Sequence, residues 1–339
     1  MPSAPLLDSV LAQPTAVTTL RRALATGRVH HAYLFDGPDG VGKELAAFGF
    51  AQALVCSERG PGVDHACAAC NACRRALLRP GERRPVHPDV IVLERGLYEP
   101  AQIGRRTPEN QDISVDQVRT LVLSRAAFPP HEGRAKVVIV RRAEEFSTSA
   151  ANALLKTLEE PGQGTVFVLL SSQPDALLPT IRSRVLRVRF GPLADDIVAR
   201  ILSERGVVGA EGIASLCSGS VEAGLVLSDP EETASRKAFV DRALAAIEAS
   251  SFGLSLELAE EAKKRPRAEL PIVLGALAIA LATEARNAAL APDAPLGRAL
   301  AAAERHRLVL RALRQLEYNG AAQLVMETLL SGLRDVWVS

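Results

Sequence analysis

The chain has 339 residues, too many for one ordinary domain, so two or three are expected. Its 40 basic and 39 acidic residues leave a formal charge of +1, which excludes a global field recruiting nucleic acid and makes any such contact local or shared with partners. The 47% hydrophobic content with only 4% aromatics points to helices with Ala/Leu cores. No charged-then-apolar leader opens the chain, and the longest uncharged apolar run, 272–282, is about half of the roughly 20 residues a membrane span needs. A cytoplasmic protein without a membrane partner is therefore expected.

In chain order, residues 10–26 read as one or two helices ahead of an apolar strand, Ala32-Tyr33-Leu34-Phe35. The strand runs into Gly37-Pro38-Asp39-Gly40-Val41-Gly42-Lys43-Glu44, and a helix is predicted from Glu44 onward. Strand, glycine loop and helix are the setting in which a phosphate-binding G-x-x-x-x-G-K-[ST] loop is credible. The final hydroxyl of that motif ligates Mg²⁺, yet Glu44 stands there, a negative charge aimed where phosphate oxygens would sit. Lys43 either still binds phosphate or belongs to a relic loop and pairs with a nearby carboxylate.

Cys56, Cys67, Cys70 and Cys73 follow as C-x10-C-x2-C-x2-C. Four thiols this close match a closed tetrahedral structural zinc site, with an iron–sulfur cluster as the alternative. Cys217 stands alone and reads as a core residue.

Further strands are predicted at 89–93, 137–140, 165–170 and 186–190. Ser114 opens a helix with Val118, Leu121 and Val122 on one face; Ser147 opens another that Pro161 stops. Strands alternating with helices imply a mostly parallel, doubly wound sheet. The strand 137–140 ends in Arg141-Arg142, where an active phosphate site would place an acidic metal ligand. We expect either an ion pair between Glu44 and Arg141 (or Arg142) filling that metal position, or two separate surface charges. Glu144 and Glu145 lie three residues too late for the metal and read as solvated or helix-flanking. Beyond Phe190 the strand signals stop. Residues 192–224 read as three short helices, Asp229-Pro230 as the start of a linker, and 233–336 as amphipathic helices broken near 264–271 and 291–295.

Several of these motifs together resemble the clamp-loader subunits of bacterial DNA polymerase III, of the AAA+ class, over roughly residues 8–228. They are Arg28-Val29-His30-His31-Ala32-Tyr33-Leu34-Phe35 before the glycine loop, the cysteine insertion, His87-Pro88-Asp89, Val115-Asp116-x-x-Arg119, Asn152-Ala153-Leu154-Leu155-Lys156-Thr157-Leu158-Glu159-Glu160-Pro161, and Leu178-Pro179-Thr180-Ile181-x-Ser183-Arg184. The resemblance implies an α/β AAA+ core with an inserted zinc module (1–190, module about 54–80), a small helical lid (191–230) and an all-α collar (231–339). It implies a hetero-pentamer with gamma/tau and delta subunits that loads a sliding clamp on primed DNA. Within the family, Glu44, Arg141 and Arg142, together with Glu222 where the sensor 2 arginine would stand, favour the non-hydrolysing delta prime type. Such a chain is a component of the polymerase holoenzyme with no polymerase activity and little or no ATPase of its own. Ser172 falls at the sensor 1 position. Ser183-Arg184 matches the Ser-Arg-Cys motif without its Cys, and the resemblance makes Arg184 a finger on the ATP of a neighbouring subunit; the other reading is a structural arginine on helix-end carbonyls. Rivals are a gamma/tau-like ATPase using Glu44 as an unusual metal ligand, and a zinc-bearing nucleic-acid-binding protein on the same scaffold.

Overall fold

The computed structural model describes residues 4–107, 112–126, 128–132, 134–215, 217–249, 251–264, 270–291, 296–317 and 321–336. Two compact units divide the chain, Met1–Leu225 and Val226–Ser339.

The first unit is built on five parallel strands: β1 (Ala32–Asp36), β2 (Val90–Leu93), β3 (Lys136–Val140), β4 (Thr165–Ser171) and β5 (Leu186–Arg189), in the order β2-β3-β4-β1-β5. The expected doubly wound α/β core is present. β1 to β4 are buried at every residue, as continuous apolar runs must be when helices cover both faces of a parallel sheet. The edge strand β5 buries only Val188. Register sets Phe35 of β1 against Leu170 of β4 and Val188 of β5, so β1 delivers the glycine loop between them at the carboxyl edge. That edge is where open α/β sheets gather their sites.

Helices α1 (Pro14–Thr26), α2 (Lys43–Val55) and α3 (Asn71–Arg75) precede β2. Ser114 caps α4 (Val115–Val118), its hydroxyl accepting from the Gln117 N–H at 3.2 Å; a π-helical turn, Arg119–Leu123, then leads to α5 (Ser124–Ala126). Ser147 caps α6 (Thr148–Glu159) in the same way through the Ala150 N–H. Then come α7 (Pro179–Arg182), α8 (Asp195–Glu204), α9 (Ala210–Ala214) and α10 (Val221–Ser228). Leu34, Leu93, Val138, Leu154, Leu158 and Leu169 belong to the core that joins sheet and helices.

The second unit is helical: α11 (Pro230–Glu248), α12 (Gly253–Lys264), α13 (Leu270–Leu290), α14 (Leu296–Glu317) and α15 (Ala322–Arg334). Phe239, Leu258, Leu274, Leu277, Val309 and Met326 lie in its own core. Two expectations need correction. No linker begins at Asp229-Pro230: α11 starts at Pro230, a single residue after α10. Proline lacks the N–H that a first helical residue leaves unused, so it opens this helix instead of breaking the chain. The apolar run at 272–282 also belongs to something longer, since Val273–Leu290 is long and apolar enough to cross a membrane by length and composition. Its Val273, Leu274, Leu277, Ala278 and Leu281, at helical spacing, are buried in the unit's core. The expected breaks near 264–271 and 291–295 fall mostly on 265–269 and 292–295, outside the described residues.

Candidate functional site: a charge-inverted phosphate loop and a cysteine cluster

The loop after β1 has the backbone of a phosphate cradle. Gly37 lies against the strand end of β5, where a Cβ would stand 2.2 Å from the Phe190 carbonyl oxygen. Gly40, at φ +74°, sits under the start of α10; a Cβ there would meet the Glu222 N at 2.5 Å. The Val221 N–H donates to the Gly40 carbonyl at 3.1 Å. The start of α10 is thus fastened directly over the loop.

Lys43, the first residue of α2, turns its amine back on the loop. Nζ donates to the Gly37 carbonyl at 2.5 Å and the Pro38 carbonyl at 2.6 Å, and pairs with Asp39 Oδ1 at 3.3 Å. Three acceptors use its three donors, and the side chain is 7% exposed.

Glu44 and Arg141 meet: Nη2 of Arg141, at the end of β3, lies 2.5 Å from Glu44 Oε1. Its Nη1 reaches Glu94 Oε2 at 2.7 Å and donates to the Arg83 carbonyl at 2.8 Å, while the guanidinium lies over the Phe48 ring. Burial works against the Arg141 charge, but Glu44 and Glu94 outweigh it and raise the guanidinium above its ordinary value. Arg142 takes no part in this pairing. It adopts φ +49°, is mostly exposed, and its nearest acid is Glu145 at 3.8 Å.

These groups line a cleft of ≈ 750 Å³ that also includes Glu144, Ser172 and Glu222. Glu144, expected as a solvated or helix-flanking charge, lies half-buried in the turn that precedes α6. The turn Ala143–Glu145 carries it back across the end of β4, where Oε1 accepts from the Ser172 N–H at 3.3 Å and from its hydroxyl at 3.1 Å. In this arrangement the lysine is bonded to the loop's own carbonyls, and a carboxylate–guanidinium pair stands beside it.

Arg184 is absent from the cleft lining. Two residues past α7, its Nη1 donates to the Thr180 carbonyl at 2.9 Å and the Ser183 hydroxyl at 3.1 Å, and Nη2 pairs with Glu159 at the end of α6. Ser183 in turn donates to the Thr180 carbonyl. The side chain of Arg184 remains 34% exposed.

The four cysteines converge between α2 and α3, with their sulfurs all within 4.8 Å of one another. Cys67 and Cys73 Sγ are 3.8 Å apart, which is the edge of a tetrahedron with metal–sulfur bonds of about 2.3 Å. Backbone N–H groups of Cys67, Cys70 and Cys73 point at the sulfurs of Cys56, Cys67 and Cys70. Burial raises Cys56 and Cys73. Cys70 is also raised by burial, but bonds from Ser57 and the Cys73 amide prevail and lower it to about 6. The cluster can hold a metal ion, and Cys217 is buried elsewhere, its thiol 2.9 Å from the Ile213 carbonyl.

Two residues of these sites escaped the sequence reading. Glu94 follows the last residue of β2, at the carboxyl edge, and that position was its available signal. Glu159 lies inside a quoted motif, but nothing local shows that its partner is Arg184.

Fold and cleft together define an α/β protein with a P-loop-type glycine loop in which a carboxylate, Glu44, follows the lysine. The chain belongs to the family described as DNA polymerase III, delta subunit, which matches residues 12–194. It is 40% identical over 196 residues to the DNA polymerase III subunit delta' of Pseudomonas aeruginosa (56% of this chain, 53% of that one). It is 32% identical over 197 residues to the delta' subunit of Bacillus subtilis (58% and 52%). The gamma/tau subunit of Mycobacterium tuberculosis matches at 34% over 203 residues (59% and 32%). The chain spans about half the length of the delta' relatives and a third of the gamma/tau one.

Proposed function

We propose that the chain is the delta prime-type, non-hydrolysing member of a DNA polymerase III clamp loader. The observation that carries the proposal is Arg141, held between Glu44 and Glu94 where an active relative would hold Mg²⁺. A gamma/tau-like ATPase needs that position open and Lys43 free.

In this proposal Arg184, steadied by Ser183, is offered in trans to the ATP site of an adjacent gamma/tau subunit. A guanidinium there would stabilise charge on the transferring phosphoryl group, worth roughly 10³–10⁵ in rate. The core (1–190), lid (191–230) and collar (231–339) would place one copy in a hetero-pentamer with gamma/tau and delta subunits. That complex, in the cytoplasm, would set the sliding clamp on primed DNA. Cys56, Cys67, Cys70 and Cys73 would hold structural zinc, whose charge offsets that of the thiolates.

The test has two parts. The isolated chain is expected to show no ATP turnover that Lys43→Ala abolishes; such turnover would restore the ATPase reading. In a reconstituted complex, Arg184→Ala is expected to lower DNA-stimulated ATPase while assembly, followed by size-exclusion chromatography, is unchanged. Full activity of that variant would refute the finger.

A further inference from the structure

We infer that Glu159 is the positioning residue for Arg184, fixing the guanidinium so that its remaining donors face a terminal phosphate presented by the neighbouring subunit. The inference rests on the proposed role of Arg184 as a finger.

Two of the five N–H donors of Arg184 are committed, to the Thr180 carbonyl and the Ser183 hydroxyl, and its Nη2 forms an ion pair with the Glu159 carboxylate. Thr180 and Ser183 belong to the arginine's own turn and grip Nη1 alone. Glu159 is, among the described residues, the acceptor that reaches Arg184 from a different element, and it holds Nη2. The guanidinium is therefore fixed at both ends, by α6 and by the end of α7, while a third of the side chain stays open to solvent.

The position of Glu159 has no helical rationale of its own. It is the last residue of α6, and Glu160 follows at the C-cap, where negative charge opposes the helix dipole. Pairing with Arg184 compensates that placement. A finger acts only within hydrogen-bond reach of its phosphate, and an arginine already held in one rotamer loses less freedom on docking than a loose one. The donors left on Nε and Nη2 suit an anionic oxygen of a nucleoside triphosphate, and both partners of the Glu159 pair are partly exposed.

The experiment uses the full chain reconstituted with gamma/tau-type and delta-type subunits, reading steady-state ATP turnover with primed DNA. Glu159→Ala is expected to lower kcat about tenfold with KM for ATP changed less than about twofold, since the loss is one of orientation. Glu159→Gln keeps an acceptor on Nη2 and is expected to recover most of kcat. The double variant Glu159→Ala/Arg184→Ala should be no slower than Arg184→Ala alone, whereas a merely structural Glu159 would add its own loss. If Glu159→Ala does not assemble, Glu159→Asp, with its shorter arm, provides the same comparison. Wild-type kcat in Glu159→Ala, a rise in kcat, or multiplying losses in the double variant would overturn the inference. Slow Arg184→Ala beside normal Glu159→Ala removes only the role of Glu159; normal Arg184→Ala removes the finger as well.

Discussion

Arg141 decides the charge state of the cleft because two carboxylates share it. Glu94 is 19% exposed and Glu44 is 47% exposed, so the first pairing is the stronger. Arg141→Ala leaves the partly buried Glu94 with only the more exposed Arg83 as its cation, and should cost about 1–2 kcal/mol, below the 3–5 of a fully buried pair. Denaturant midpoints check this, and Glu94→Gln added to Arg141→Ala should recover part of the loss; no recovery would mean that the packing over Phe48 dominates. Glu44 and Arg141 were legible in the sequence, since each fills a fixed place in a motif frame that predicts its neighbours. Glu94 and Glu159 were not, because their partners come from other strands and helices. The contact of Glu144 with Ser172 was not legible for the same reason: the turn at Arg142 folds the carboxylate back across the chain.

At the scale of elements, α3 has only five residues, too few to be stable alone, and its cap is a metal-ligand candidate, Cys70, accepting from the Cys73 N–H. Metal and helix should therefore stand or fall together. The purified chain is expected to carry about one zinc per molecule by elemental analysis, and chelation should lower the melting temperature and open residues 56–84 to proteolysis before the sheet is cut. A chain that loses its metal without either change would show that hydrogen bonds alone hold the cluster. The cysteine spacing and the five strands could be read from the sequence because each is a short, strongly patterned signal. Pro230 could not: the same residue stops one helix and starts the next, and only the backbone shows which. The π-helical turn at Arg119–Leu123 likewise has no mark in the residues themselves.

Across the described residues, the first unit has a core packed on its sheet and the second has its own among α11 to α15. Leu154 and Leu277 are both 0% exposed, one in each. Truncating either to Ala should cost about 2–5 kcal/mol, and calorimetry should show each variant lowering a different transition. A single transition shifted equally by both would mean that the units melt as one. The family motifs all lie in the first unit; the second shows only helical periodicity, which fixes its class and leaves its partners to assembly experiments.

The double grip on Arg141 also makes the change at the loop hard to undo. Glu44→Thr would return the missing hydroxyl, yet Glu94 and the Arg83 carbonyl would keep the guanidinium in place. The Val221 amide would still hold the Gly40 carbonyl, and Lys43 would still face its own loop. A hydroxyl at position 44 would therefore stand beside the same guanidinium and the same folded-back lysine: the contacts of the cleft are set by several residues jointly, and a change at one of them leaves the others in place.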